Sequence, residues 1–400
     1  MSNIYAALEI GTTRTVLAIG EAKSGERLRV TSHAEIPSTG VRKSQILDIS
    51  QATTSIRSVL REIEKKQGAN GDSLDLSNVF LVVNGQHVKA DPYQGTAQVS
   101  DGRVTEADIE EVRNSSRLMA LPRERELLDI VDQSYELDGL AGISSPKGMS
   151  GRVLKLDTLQ IHADANRINN ARTAAGGVHL EIREPLFSMT CAADAVLSAH
   201  DKRNGALVID LGGGSTGYAV YADGYLVSAN VIGVGGDHVT NDIAYAFQTT
   251  QSQAEDLKRL ESNAIVGGER GASPRVQLTG SSPLMEARAI SRRALDTVVN
   301  LRLKELFTII RNELEDQDLT HKLNAGVVIT GGGAAQRGID ALIQREFGLP
   351  VRTGYPSEVD GFDQTTEAAS FASIAGALLY AHRNYEEKSI FKKILKGLFN

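Results

Sequence analysis

The stretch Asp210-Leu-Gly-Gly-Gly-Ser-Thr carries the sharpest chemistry in this chain of 400 residues. An acid followed by Gly212, Gly213 and Gly214 lets backbone amides approach phosphate oxygens with no Cβ in the way, and Ser215 and Thr216 add hydroxyl donors. Asp210 suits Mg2+ held through water, because magnesium keeps much of its hydration shell and takes few protein carboxylates. Near the N-terminus Glu9-Ile-Gly11-Thr12-Thr13 repeats the theme of an acid and a glycine-hydroxyl turn. Either turn alone is also a plain tight β-turn; two of them face to face make a phosphate clamp. A third glycine run, Gly331-Gly332-Gly333-Ala334, follows the apolar VVIT and suits backing a planar base or an α-phosphate closely.

These turns need strands to hold them. Residues 4–20 (IYAALEIGTTRTVLAIG) read as two strands around a tight turn, and 206–232 as strand, glycine turn, strand, Asp-Gly turn and strand. The resemblance between the two units suggests an internal duplication into two α/β halves. Between them, 50–67 reads as an amphipathic helix and 79–84 as a buried strand. Region 85–164 changes character: DGRVTEADIEEVRNSSRLMALPRERELL is charged and helical, ISSPKGMSGRVLKL is loop then strand, and no phosphate turn occurs. It reads as an inserted subdomain. After Ile232 come two helices joined at 248–251, a long helix over 286–315, and strand, glycine turn and helix over 325–347.

Four hundred residues exceed one ordinary core, so two domains or halves around a cleft are expected. No run approaches the roughly 18 apolar residues of a spanning helix, and the N-terminus lacks a basic leader and a cleavage site, which predicts a cytoplasmic protein. The single cysteine, Cys191, forms no internal disulfide and reads as a small buried hydrophobe. The eight histidines are scattered without metal-ligand spacing, and a net charge of -7 without basic stripes argues against a nucleic-acid partner. The last twelve residues, SIFKKILKGLFN, contrast with that acidity. On a helix Ile390, Phe391, Ile394, Leu395, Leu398 and Phe399 fall on one half-circle and Lys392, Lys393 and Lys396 on the other, the pattern of a helix lying in a membrane surface. A C-terminal packing helix is the alternative. RNYEEK, 383–388, reads as a polar connector.

The ordered set GTT, DLGGGST and TGGGA resembles the actin/Hsp70/sugar-kinase ATPase superfamily, with the first two as phosphate loops and the third as the adenosine loop. Within that superfamily LEIGTTRT, GVRKSQILDI, VNGQHV, PKGMSGRVL, NVIGVGGDHVTNDIAYAF, AEDLK and VVITGGGA resemble the FtsA family of bacterial cell-division proteins, in order and over essentially the whole chain. The resemblance implies an α/β, actin-like ATPase fold whose two similar halves flank a nucleotide cleft. The implied partition is a first half at 1–84 and 165–204, rejoined by a helix at 355–382, with an inserted α+β subdomain at 85–164. The second half follows at 205–240 and 325–354, with a helical subdomain at 241–324. A short linker, 383–388, precedes a membrane-binding helix at 389–400.

ATP and Mg2+ are the implied cofactors, with Glu9 and Asp210 toward the metal and Arg14, Gly236 and Ala334 completing the nucleotide contacts. Glu255 and Lys258 are implied ribose and adenine contacts; an ordinary exposed ion pair is their alternative. The implied partners are the C-terminal peptide of the tubulin-like ring protein FtsZ, further copies of the chain in a head-to-tail filament, anionic membrane and later division proteins. A tail-contacting arginine is implied near Arg302, beside Lys304 and Glu305, although a solvated helix face reads equally well there. The implied place is the cytoplasmic face of the inner membrane at the division site. Two departures bear on catalysis: Gly217 stands where many superfamily ATPases carry a second acid in DxGGGTxD, and Glu9 where aspartate is usual. Phosphoryl transfer depends on orienting the nucleophile and neutralising charge; the expectation is ATP binding with slow or absent hydrolysis. Two rivals remain. A kinase of the same fold needs an acceptor-loop carboxylate that is not apparent, and an actin-like scaffold of pilus or secretion assembly has no need of the last twelve residues.

Overall fold

The computed structural model describes residues 3–398 apart from 24, 68–75, 77, 119–120, 268–272, 279–286 and 363–366, with backbone alone for 386–398. The first half opens with strands β1 (Asn3–Ile10), β2 (Arg14–Ala22) and β3 (Arg29–Pro37), a short hairpin of β4 (Val41–Arg42) and β5 (Gln45–Ile46), helix α1 (Ile49–Gln67) and β6 (Val79–Val83). The inserted unit follows as β7 (Lys89–Gln98), α2 (Glu106–Arg117), β8 (Arg125–Leu137), β9 (Leu140–Ile143) and β10 (Val153–Asp164). The chain then returns to the first half through α3 (Ala165–Gly176), β11 (Ile182–Phe187), α4 (Ser188–Val196) and α5 (Ala199–Asn204).

The second half begins with β12 (Ala206–Leu211), β13 (Thr216–Ala222) and β14 (Tyr225–Ile232). A helical unit of α6 (Gly236–Ala246), α7 (Gln251–Asp256), a π-helical turn at Leu257–Glu261, the hairpin β15 (Arg275–Leu278) and β16 (Arg288–Ser291), and α8 (Arg292–Asp316) is set into it. β17 (Gly326–Thr330), α9 (Ile339–Phe347) and β18 (Val351–Thr353) complete the second half, and α10 (Ala372–Leu398) crosses back.

The two central sheets share one plan. Their orders are β3-β2-β1-β6-β11 and β14-β13-β12-β17-β18. In each, the first three strands are antiparallel and the last two join in parallel. Glu9 and Asp210 are the penultimate residues of the equivalent strands β1 and β12. β12 is buried on both faces, as a central strand between two layers must be. Ala206 and Val208 enter the core of the first half, while Leu207, Ile209 and Leu211 enter that of the second. The inserted unit is a four-stranded sheet, β7-β10-β8-β9, with its own small core beneath α2. Gly95 lets α2 rest directly on β7, since a Cβ there would lie 2.5 Å from the Val112 carbonyl oxygen.

Four local expectations differ, the first being that the helix expected over 355–382 begins only at Ala372, after a 3-10 turn at Ala368–Phe371. RELL, read as helical, opens the strand β8, because β10 pairs with it along its length. The long helix begins at Arg292, since Arg288–Ser291 pairs as β16 and Ser291 caps the helix through the Ala294 amide. Residues 383–388, read as a connector, lie inside α10. There the Tyr385 ring meets Phe80 at 5.5 Å and carries the Arg183 guanidinium 3.9 Å above it. Among the described residues no helix is long and apolar enough to cross a membrane.

Helix α10 reaches the body because Gly376 lets it touch α4 backbone to backbone. A Cβ on Gly376 would lie 1.8 Å from the Cys191 carbonyl oxygen. Gly376→Ala should therefore overpack the core and cost about 1–3 kcal/mol, seen as a lower thermal midpoint. Gly176→Ala on α3, where a Cβ meets nothing within 4 Å, should leave the midpoint unchanged or raise it. Equal midpoints for both variants would contradict this helix contact.

Candidate functional site

Both phosphate-loop candidates close with the same bond. The Gly11 amide donates to the Arg14 carbonyl at 3.0 Å, and the Gly212 amide to the Ser215 carbonyl at 3.1 Å. The pairing of β1 with β2 and of β12 with β13 aims the two turns at each other. A Cβ on Gly213 would stand 1.9 Å from Thr13 Oγ1, and one on Gly214 2.3 Å from Thr12 Oγ1. The threonines of one half thus fill the space that the glycines of the other leave open. Ser215 is buried, and Thr216 donates to the Val234 carbonyl at 2.7 Å, tying the turn to the segment entering α6.

Beneath the turns lie the two acids. Glu9 accepts from the Ser373 hydroxyl at 2.8 Å, and burial pushes its carboxyl above the usual range against the pull of Arg14. Asp210 is buried, and its pKa rises to about 7, first from burial and then from Glu9, with Arg14 opposing. A buried acid raised by a neighbouring acid whose own pKa is raised by burial is a place where a cation lowers the energy. Arg14 itself is engaged by Glu35 and the Ser370 carbonyl, with its guanidinium 4.8 Å from the Phe371 ring centre.

The adenosine-loop candidate sits against the same acid. Gly331, at φ +82°, adopts a backbone that favours glycine, and a Cβ on it would lie 2.2 Å from Asp210 Oδ1. A Cβ on Gly333 would meet Leu211 at 2.3 Å, whereas one on Gly332 would meet nothing within 4 Å. Ala334 is buried behind them. Helix α6 docks on the second turn: the Gly236 and Asp237 amides donate to the Gly212 and Gly213 carbonyls, each at 2.9 Å. Lys258 Nζ reaches the Gly236 carbonyl at 3.2 Å, Thr240 at 2.9 Å and Glu255 at 2.6 Å. The Glu255–Lys258 pair is therefore largely enclosed on the lysine side, and it joins α7 to the start of α6. Burial works against the Glu255 carboxylate, but Lys258 and Thr240 hold its pKa below the usual value. Lys258 lies on the π-helical turn, a local widening often found at functional sites.

Further away, Arg302 on α8 makes a two-pronged bond to Asp242 on α6, at 2.6 and 3.1 Å, and also pairs with Glu305. Lys304 approaches Glu346 at 3.7 Å. Beside this pair Tyr245, three residues beyond Asp242, and Leu301 are strongly exposed, at 89% and 61%. Sequence reading missed both; their apolar character on otherwise polar helix faces was the available signal. It also missed Ser44, whose amide donates to Thr12 Oγ1 at 2.8 Å. For the membrane candidates, the α10 backbone extends through Leu398, while the side chains of Ile390, Phe391, Lys392, Lys393, Ile394, Leu395, Lys396 and Leu398, and all of Phe399, lie outside the described residues.

Gly217, where a second acid was sought, packs on the buried Met189 of α4: a Cβ there would lie 2.4 Å from its sulfur. A carboxylate at this position requires Met189 to move.

Residues 207–376 match the family model described as cell division protein FtsA, and 85–162 match that described as an SHS2 domain inserted in FtsA. Among similar proteins is cell division protein FtsA of Pseudomonas aeruginosa, 30% identical over 378 residues, covering 94% of this chain and 89% of the relative. FtsA of Escherichia coli strain K12 is 28% identical, covering 96% of this chain and 91% of its own length. A chain of the PilM-PilN type IV pilus biogenesis complex superposes with a TM-score of 0.64 at 18% identity, covering 94% of this chain and 97% of its own. MreB5 of Spiroplasma citri bound to ADP superposes at 0.55 with 16% identity, covering 98% of each chain. These structural likenesses bear on the fold, which is actin-like.

The Asp210 shift has a sign. The unfolded chain ionises this group near 3.8 and the folded chain only at about 7, so between these values the folded state holds a proton that the unfolded state lacks. Stability should fall as pH rises through that window. Asp210→Asn should flatten this part of the profile, measured as the denaturant midpoint from pH 4 to pH 7 without divalent cations. A wild-type slope that persists unchanged in the variant would contradict the burial assigned to Asp210.

Proposed function

The chain belongs to the FtsA family of cell-division proteins, and from that premise we propose that it is an ATP-binding, self-polymerising adaptor that tethers FtsZ to the cytoplasmic face of the inner membrane. The single observation that carries the nucleotide reading is the contact of Thr12 and Thr13 with Gly213 and Gly214 beside Glu9 and the buried Asp210. Amides and hydroxyls from both halves converge where a polyphosphate would lie, and the glycines leave the backbone bare. The acid pair fits a magnesium ion, with Asp210 and Glu9 acting through its water shell; the bound ion would neutralise phosphate charge. Gly331, Gly332 and Gly333 would back the adenosine, with Glu255 and Lys258 at its edge.

Slow or absent hydrolysis follows from Gly217. The position supplies no second carboxylate to orient water, and placing one there would require Met189 to move. ATP would then act as a conformational ligand, favouring head-to-tail assembly.

Arg302 is the proposed contact for an acidic, apolar FtsZ tail, with Tyr245 and Leu301 offering apolar surface beside it. Because Arg302 also joins α8 to α6 through Asp242, reversing its charge disturbs the helix pair as well as the surface. Tyr245→Ala is the cleaner probe, expected to weaken binding of the FtsZ tail peptide while sparing ATP.

Membrane attachment rests on the pattern of residues 389–400. Half-burying six apolar side chains contributes roughly 1 kcal/mol each and three lysines near anionic lipid about the same each, less several kcal/mol for ordering the segment. The net of roughly 4–6 kcal/mol is a millimolar to tens-of-micromolar affinity. One copy would come and go, and a filament would hold by linking many tails. Recruitment of later division proteins belongs to the same reading. The pilus-scaffold alternative has fold likeness alone in its favour.

Two experiments test this reading. Gly332→Val should abolish ATP binding with the fold intact, since a Cβ there meets no protein atom within 4 Å. Gly213→Val, by contrast, collides with Thr13 even without ligand. Unaltered ATP affinity in Gly332→Val would remove the adenosine-loop assignment. Sedimentation with anionic vesicles should carry down the full chain, more so with ATP, and leave a chain ending at Lys388 in solution. Equal pelleting of the two would remove the membrane role of the tail.

A further inference from the structure

The hairpin β4–β5 is absorbed by none of the roles above, yet its tip touches both phosphate turns. Val41 pairs with Ile46 and Arg42 with Gln45, so Lys43 and Ser44 are the two central residues of the turn. Both lie in the left-handed region, at φ 48° and 56°. Such a turn favours glycine or asparagine at both places, so lysine followed by serine holds a conformation the surroundings must impose. The surroundings do so. The Ser44 amide donates to Thr12 Oγ1 at 2.8 Å, and the Ser44 hydroxyl bridges to the Ser215 hydroxyl at 3.2 Å. At the base, the Gly40 carbonyl accepts from the Leu47 and Asp48 amides at 2.8 and 3.1 Å.

A rigid tip therefore carries Lys43 to the junction of the two turns. The residue is exposed, and among the described residues no ion pair holds it. It stands near enough to the first turn of α6 for its charge to act, after burial, in holding down the His238 pKa. The adenosine turn meets the second loop at Asp210 and Leu211, whereas Ser44 meets it at Ser215. The hairpin thus meets the second loop at a residue other than those the adenosine turn touches.

Resting on the nucleotide reading of this cleft, we propose that Lys43 is a third phosphate-binding element that contacts the terminal phosphate of a bound nucleoside triphosphate. An ammonium on a flexible four-carbon stem, with three donors, suits an oxygen-rich dianionic end. On this assignment a diphosphate ends before reaching it. The hairpin then distinguishes triphosphate from diphosphate without taking part in bond cleavage, and it reports that difference to the first half through Ser44 and Thr12.

The test is calorimetric titration of the full chain with ATP and with ADP, each with Mg2+, for wild type, Lys43→Gln and Lys43→Arg. Removing the charge should weaken ATP by about tenfold or more and ADP by no more than about twofold, with arginine keeping most of the ATP affinity. An unchanged ATP affinity in Lys43→Gln, or an equal loss for ATP and ADP, overturns the assignment while leaving the cleft a nucleotide site. A wild-type chain that binds neither nucleotide overturns the cleft reading and this assignment together. Thermal midpoints of the variants equal to wild type show that affinity and not folding was changed.

Discussion

Backbone must meet hydroxyl where the two halves face each other, and this single requirement orders the rest of the molecule. Gly213 and Gly214 have no Cβ, and Thr13 and Thr12 stand in the space that absence leaves. The contact holds only if both turns keep the same bend, which the matching Gly11–Arg14 and Gly212–Ser215 bonds provide. The bend in turn needs hairpins of equal design beneath it. That explains why the two sheets repeat one strand order and why an acid occupies the penultimate place of the equivalent strands.

The surrounding elements serve that contact at one remove. Helix α6 fastens its first amides to the carbonyls of the second turn, and Lys258 fastens the helical unit to α6. Movement of the helical unit therefore cannot leave the second turn undisturbed. On the other half, the Ser373 hydroxyl of α10 holds Glu9, while Gly376 three residues on brings the same helix against α4. The helix that leads to residues 389–400 is thus joined to the acid at the floor of the cleft. Glu9 and the stretch beginning at residue 389 are therefore joined through one helix.

Much of this was legible in the residues. The turns announced themselves because glycine runs between β-branched and apolar strands have few other uses, and the duplication was visible in Glu9-Ile-Gly beside Asp210-Leu-Gly. Less legible were places where long-range pairing decides. Arg125 to Leu128 is charged and helix-prone alone, but β10 supplies the partners that make it a strand. The polar RNYEEK segment concealed that Tyr385 packs on Phe80 and Arg183, because one aromatic in a polar run gives no period. Gly376 and Gly95 carried no signal, since their importance lies in a backbone that passes within contact distance from elsewhere in the chain. Arg302 was named for its charge, while its bond to Asp242 depends on how α6 lies on α8.

The central claim is that one ligand joins the two halves through both turns at once. Amide hydrogen exchange across residues 11–14, 212–216 and 331–333, with and without ATP and Mg2+, tests it most directly. All three segments should slow together on adding nucleotide, although they come from different halves of the chain. Protection of one segment alone, or of none, would contradict a clamp formed between the halves.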